Sequence, residues 1–202
     1  MVERQLRGRG IWDERVLAAM EEAPREAFLP EPVCHRAYDD SALPIGCDQT
    51  ISQPWIVAAI CQALELRGSE RVLEIGTGSG YSTWVLARLA AEVVSVERHE
   101  SLARGARQAL SELGVANARL LVGDGSLGVP ERAPFEAIAV HATAPAAPSA
   151  LIDQLADGGR LVVPIAGQEA DMLTVLRREG DEIATETIGP CRFVPLIGEE
   201  GF

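Results

Sequence analysis

The residues of this chain best suited to chemistry lie in one stretch, Val72-Leu73-Glu74-Ile75-Gly76-Thr77-Gly78-Ser79-Gly80. It reads as a buried strand closing on an acid, then three glycines spaced by two, then a helix from Tyr81 to Ala90. Glycine is placed where the backbone takes a positive φ or where another molecule must approach closely. A second strand, Val93-Val94-Ser95-Val96-Glu97, ends in an acid 21 positions after Gly76. The two strands and the helix between them predict a nucleotide-binding βαβ unit, with Glu97 set to take a ribose diol and Arg98 beside it. Gly123-Asp124-Gly125 follows the third strand. Flanking glycines there let an adenine ring lie on the backbone while Asp124 accepts from its amine. A plain Asp-Gly turn is the competing reading, and the place of the motif after the ribose acid favours the ligand.

The spacing also narrows the nucleotide. A dinucleotide fingerprint puts a pyrophosphate over the helix N-terminus. Here the pattern is E-x-G-x-G-x-G, through Glu74, Gly76, Gly78 and Gly80, with Thr77 inside the turn. A carboxylate at that strand end repels a pyrophosphate and suits an ammonium group. S-adenosylmethionine, with a ribose, an adenine and a methionine tail but no phosphate, fits that pattern. A glycine turn with no ligand and a dinucleotide site are the alternatives.

Composition removes several other chemistries. All 18 basic residues are arginine, so a Schiff-base lysine and a P-loop lysine are both excluded. The net charge of −12 argues against a nucleic-acid partner, which needs a basic patch. His35, His99 and His141 are far apart, and neither they nor the four cysteines show ligand spacing, so no metal is expected. Cys34, Cys47, Cys61 and Cys191 read as reduced, mostly buried thiols. The sequence has no run of 18 apolar residues, and Met1 to Arg7 lacks an apolar secretory core; a cytoplasmic, exposed acidic monomer away from any membrane is expected.

These groups need a frame that brings them together. A length of 202 residues with 47% hydrophobic content suits one domain. Residues 1–36 read as a peripheral helical extension in which Asp13 caps a helix carrying Val16, Leu17 and Met20. Residues 37–53 read as a structured loop, and 54–202 as the core, entered through a helix with Pro54 in its first turn. Strands are expected at 71–75, 93–97, 119–122, 136–141 and 160–165, and helices at 81–90, 99–113 and 148–156, the last ended by Gly158-Gly159. Runs from 172–177 and 182–188 predict an antiparallel finishing hairpin. The expected fold is a doubly wound α/β sheet of Rossmann-like type, mostly parallel and seven-stranded, with an antiparallel C-terminal edge. Ligands of such sheets sit beyond the carboxyl ends of the strands, where the loops at Gly76–Gly80, Glu97, Gly123–Gly125 and His141–Pro145 converge.

One polar segment lies outside this nucleotide core: Gln49-Thr50-Ile51-Ser52-Gln53-Pro54. Ser52 can be read as a helix N-cap or as a functional hydroxyl. It is not a convincing nucleophile, because no triad arrangement and no G-x-S-x-G elbow is present.

Taken together, the order of elements and these motifs closely resemble the protein-L-isoaspartate O-methyltransferases over nearly the whole chain. The resemblance includes Met1 to Leu6 with Asp13 to Leu17, Ala42-Leu43-Pro44-Ile45-Gly46, Thr50-Ile51-Ser52-Gln53-Pro54, Val72 to Tyr81 and Val122 to Gly125. It continues in Ala133 to Ile138, Gln154-Leu155, Gly158 to Val162 and Arg192-Phe193-Val194-Pro195-Leu196. The Thr50–Pro54 segment and the Arg192–Leu196 tail are its most specific parts. It implies methyl transfer from S-adenosylmethionine, with S-adenosylhomocysteine as product, to the α-carboxyl of an L-isoaspartyl residue in damaged proteins and peptides. The ester then collapses to a succinimide. The resemblance makes Ser52 the active-site serine, Glu97 the ribose acid, Gly123 and Asp124 the adenine loop, and Ile45, Gly46, Cys47 and Asp48 a segment against the cofactor.

A carboxylate acceptor is already a nucleophile, so such a reaction needs alignment more than a base. Ser52 is then expected to hold the acceptor, helped by Thr50 and by backbone amides around Ile51 and at Ala142, Thr143 and Ala144. Three departures bear on the substrate: Cys47-Asp48 stands where many bacterial members have His-Gly, 125–130 lacks an aromatic residue, and His141 replaces a small residue or threonine. Cys47 reads as a small buried thiol in preference to a redox switch. The competing functions are a carboxyl methyltransferase for a different dedicated peptide, or another carboxylate or hydroxyl, and a non-catalytic S-adenosylmethionine-binding protein.

Overall fold

The computed structural model describes residues 1–202. Two strands, β1 (Leu43–Gly46) and β2 (Gln49–Ile51), form a small hairpin; α1 (Glu14–Glu22) precedes it and α2 (Pro54–Leu64) follows. Then come β3 (Arg71–Ile75), α3 (Tyr81–Leu89), β4 (Glu92–Glu97), α4 (Glu100–Glu112), β5 (Ala118–Val122) and β6 (Phe135–Val140). The chain closes with α5 (Ser149–Asp153), β7 (Leu155–Ile165), β8 (Asp171–Glu179) and β9 (Glu182–Cys191). The main sheet has the order β5-β4-β3-β6-β7-β8-β9. Pairing is parallel from β5 through β7 and antiparallel across β7-β8-β9. The expected seven-stranded architecture is present. Strand order reverses beside β3, since β4 lies on one side and β6 on the other, and this opens a crevice at the carboxyl ends of the central strands.

Alternation within each strand feeds two apolar layers. Val72, Val93, Ala137, Ala139 and Val162 face one side; Leu73, Val94, Ile138, Val140 and Leu161 face the other. Burial on both faces is why these strands read as continuous apolar runs instead of alternating ones.

Four expectations change. Residues 1–36 are not peripheral: Leu6, Ile11, Val16, Leu17, Met20 and Phe28 are buried in the same layer as α2 and α3. Asp13 does cap α1, its Oδ1 accepting from the Arg15 and Val16 amides. Residues 37–53 hold the β1–β2 hairpin, turned by Cys47 and Asp48, both at positive φ (51° and 56°). Two consecutive residues at positive φ make the tight turn whose twist suits a hairpin. Cys47 is consequently exposed, not buried, and of the four thiols only Cys61 is buried; Cys34 and Cys191 are partly exposed. Finally, α5 spans only Ser149–Asp153, because Gly158-Gly159 lies inside β7. The pairing with β6 slips there between Phe135 and Ala137. A Cβ on Gly159 would sit 2.8 Å from the Ala156 carbonyl, so the glycine serves a bulge and not a helix end.

Arg25 fixes the approach to the hairpin. Its side chain is buried, its guanidinium carbon 4.7 Å from the centre of the Tyr81 ring, and its Nε donates to the Ala37 carbonyl at 2.6 Å. Burial pulls its proton affinity below the ordinary arginine value.

Candidate functional site

The crevice holds a cleft of about 780 Å³ counted out to its open mouth, within the usual range for a small-molecule site. Its floor is the turn after β3. Gly76 and Gly78 take φ of 93° and 56°, which lets the backbone fold back beneath the cleft without side chains filling it. Glu97, at the end of β4, is buried and ties this turn down. Its Oε2 accepts from the Gly78 amide and its Oε1 from the His99 amide, each at 2.8 Å. A carboxylate offers about four lone-pair sites, so roughly two remain for the hydroxyls of a diol.

Of the residues singled out from sequence, Thr50, Ile51, Ser52, Gly76, Thr77, Gly78, Glu97, Arg98, Gly125 and Ala142 line this cleft. Others stand behind it. Ile45 braces the glycine turn, since a Cβ on Gly78 would meet its Cδ1 at 3.3 Å. Gly46, Cys47 and Asp48 form the hairpin tip beyond the wall, with the Cys47 thiol 3.3 Å from the Ser101 hydroxyl. Gly80 caps α3 at φ 94° and packs on Ala106, where a Cβ would come within 3.2 Å. Gly123 also lies outside the lining.

Glu74 calls for a correction. It does not face the cleft; it is fully buried below the glycine turn. Its Oε2 accepts from the Thr83 hydroxyl and, at 2.6 Å, from the Ser95 hydroxyl, while Oε1 lies 3.3 Å from Nε2 of His141. Its negative charge acts on the site through this network and not by direct contact.

Asp124 is largely committed within the chain. Oδ1 accepts from the amide and hydroxyl of Ser126, at 2.9 and 2.7 Å, and Oδ2 from the Glu199 amide at 2.8 Å. Partial burial alone would raise its carboxyl, but these hydrogen bonds and Arg98 outweigh it and hold the carboxyl below the ordinary aspartate value. The amides expected from Ala142, Thr143 and Ala144 divide in a similar way. Thr143 donates to the Val194 carbonyl at 2.8 Å and Ala144 to Pro164 at 2.9 Å, which leaves the Ala142 amide without a backbone partner.

Ser52 does not cap α2. Gln53 holds the cap position without a side-chain bond, and Pro54 supplies a residue with no amide hydrogen to satisfy. The Ser52 side chain instead borders both the cleft and a second cavity, together with Thr50, His141 and Val194. The second cavity continues past Trp55, Phe193, Arg9 and Arg192.

Sequence reasoning gave no site role to Val194, Pro195, Leu196 and Ile197, which close one side of the cleft. The tail is anchored by Leu196 donating to the Thr143 carbonyl at 2.7 Å and by the Glu199 amide on Asp124. The signal available was the specificity of the Arg192–Leu196 motif itself, which an exposed terminus has no packing reason to carry. Tyr81 and Ser82 also line the cleft unannounced, and His141 does so from the loop expected to converge there.

The matching family, over residues 1–201, is protein-L-isoaspartate(D-aspartate) O-methyltransferase. A Pelobacter propionicus protein called protein-L-isoaspartate O-methyltransferase 2 is 52% identical, covering 100% of this chain and 91% of its own length. A solved protein-L-isoaspartate O-methyltransferase superposes with a TM-score of 0.87 at 30% identity, over 100% of this chain and 67% of that one. A Plasmodium falciparum structure, described as a putative member in complex with S-adenosyl-L-homocysteine, shares the fold at a TM-score of 0.82 and 24% identity, over 97% and 96% of the two chains. Full-length agreement in sequence, in strand order and in the glycine cleft leads to one conclusion: the chain belongs to the protein-L-isoaspartate(D-aspartate) O-methyltransferase family.

Proposed function

We propose that the cleft methylates the α-carboxyl of L-isoaspartyl residues, with Glu97 and the glycine turn holding S-adenosylmethionine and Ser52 orienting the acceptor. The protein is an S-adenosylmethionine-dependent protein-L-isoaspartate O-methyltransferase. The observation that carries the division of labour is the junction at Ser52. One hydroxyl borders both the donor cleft and the second cavity, so an acceptor entering from one side meets the donor at that point. S-adenosylmethionine, when bound, supplies a methyl group activated by its sulfonium.

The chain's own groups do the rest. Glu97 accepts from ribose hydroxyls with the lone pairs its backbone contacts leave free, and Asp124 offers a remaining acceptor site to the adenine edge. Ser52 and the Ala142 amide donate to the acceptor carboxylate. Val57, Ile75 and Val96 from the core, with Leu196 from the tail, exclude water from the cleft walls. A partly desolvated carboxylate attacks without a general base, consistent with the absence of a triad. The substrates are isoaspartyl proteins and peptides, and the enzyme acts as a cytoplasmic monomer of one domain. Four unpaired cysteines, the charge of −12 and the lack of any helix long and apolar enough to cross a membrane support that reading.

Incubation with labelled S-adenosylmethionine and matched peptides containing isoaspartate, aspartate or neither tests the assignment. Base-labile methyl ester on the isoaspartyl peptide alone is expected. Label on the aspartyl peptide, or binding without transfer, would overturn it.

A further inference from the structure

The wall between the donor cleft and the second cavity carries three polar groups that nothing in the chain satisfies. The Ser52 hydroxyl is free because Gln53, not Ser52, occupies the cap of α2. The Ala142 amide is free because its neighbours Thr143 and Ala144 take the available carbonyls. The third is Nδ1 of His141, which is buried and has no hydrogen-bond partner. His141 is 9% exposed and lines both cavities beside Ser52.

The other edge of the ring is held firmly. Nε2 lies 2.7 Å from the Ser82 hydroxyl and 3.3 Å from Oε1 of Glu74. The His141 amide donates to the Ile75 carbonyl at 2.8 Å, which pins the residue beside the glycine turn. The Ser82 hydroxyl is the hydrogen-bond partner of Nε2, while Oε1 of the fully buried Glu74 lies near the ring without a hydrogen bond. The charged or titratable groups facing this region are Glu74 from β3, Glu97 and Arg98 at the end of β4 and Tyr81 from α3, with Arg9, Cys191 and Arg192 across the second cavity. The carboxylate of Glu97 is turned toward the Gly78 and His99 amides, so Glu74 is the anion that addresses the ring.

We propose that His141 is a substrate-binding residue of this enzyme: its Nδ1–H donates to the acceptor carboxylate, alongside Ser52 and Ala142, while Nε2 accepts from the Ser82 hydroxyl. This rests on the reading of the Ser52 junction as the acceptor site. A neutral imidazole carries one N–H, and with the Ser82 hydroxyl donating to Nε2 that hydrogen stands on Nδ1, the edge with no partner in the chain. A small residue or threonine at this position offers no ring N–H there, so His141 sets how strongly this enzyme holds its acceptor carboxylate.

Calorimetry on the full chain saturated with S-adenosylhomocysteine tests the proposal, titrating an isoaspartyl peptide and a matched peptide whose isoaspartyl α-carboxyl is amidated. His141→Ala removes the donor and should raise the Kd of the carboxylate peptide about ten-fold, the size of one hydrogen bond to a charged group, while the Kd of the amidated peptide changes little. His141→Asn, whose side-chain amide presents a donor near the Nδ1 position, should recover part of the loss. Retained S-adenosylhomocysteine binding certifies the fold of either variant. An unchanged Kd for the carboxylate peptide in His141→Ala overturns the role of His141 and leaves the acceptor site standing. An equal loss for both peptides shows that the ring does not address the carboxylate and also overturns it. Failure of the natural protein to bind or methylate the isoaspartyl peptide at all overturns both readings together.

Discussion

Ser52 shows how much of this reaction is positioning. The acceptor carboxylate brings its own nucleophilic oxygen, so the hydroxyl has no proton to abstract and only a geometry to hold. Ser52→Ala should therefore lower kcat about 10–100-fold, the loss of one positioned donor, without abolishing turnover. Steady-state rates on an isoaspartyl peptide, with S-adenosylhomocysteine binding as a check on the fold, read this directly. Loss of all activity in a variant that still binds S-adenosylhomocysteine would mean that the serine does more than orient. Glu97 works by a different economy: two of its lone-pair sites shape the glycine turn, and those left over are available to a ligand. Structure and binding share one side chain there.

Among the elements, the turn after β5 is the tightest part of the cleft. Gly125 lies so close to β3 that a Cβ would stand 2.5 Å from Cγ2 of Ile75, a methyl fixed to a β-branched, buried side chain. Neither partner can swing away, so Gly125→Ala must move the turn that carries Asp124. A cost of about 1–3 kcal/mol is expected, the usual range for overpacking a core. A lower denaturant midpoint and weaker S-adenosylhomocysteine binding, appearing together, would verify it. The β1–β2 hairpin illustrates the opposite case. Its tip, Cys47-Asp48, tolerates exposure, while Ile45 and Ile51 on its arms press on the glycine turn and the core. The charge of Asp48 thus falls on the outer edge of the hairpin and does not reach the cleft lining.

At the scale of the molecule, the C-terminal tail joins distant parts of the chain across the donor cleft. Asp124 holds the Glu199 amide, and Glu200 accepts from the Ala150 amide and the Ser149 hydroxyl. Both carboxyls sit below their ordinary values: for Glu200 the Ala150 amide is the main cause, for Asp124 the hydrogen bonds that outweigh its partial burial. A carboxyl held low in the folded state contributes stability that is complete above its unfolded value, about 4, and fades as pH falls through its folded value. Acidification below about pH 4 should therefore loosen residues 194–202. Faster hydrogen exchange at the Leu196 and Phe202 amides, before the sheet amides of β3 and β6 respond, is the expected result. Simultaneous exchange of tail and sheet would show that the tail is not a separately anchored strap.

The sequence by itself determined the sheet, because buried parallel strands impose unbroken apolar runs such as Val72–Ile75 and Ala137–Val140. It also determined the donor turn, because three glycines and an acid at fixed spacing answer to local backbone geometry. What it misplaced depended on neighbours far along the chain. Whether Glu74 faces ligand or core turns on Thr83, Ser95 and His141; whether residues 1–36 are peripheral turns on α2 and α3. The free donors at Ser52 and Ala142 become visible only once every other amide has found its carbonyl. Local periodicity reports which face of an element is buried. Which polar atoms remain unpaired is settled by the whole set of tertiary contacts, and in this protein those unpaired atoms border the junction where donor and acceptor meet.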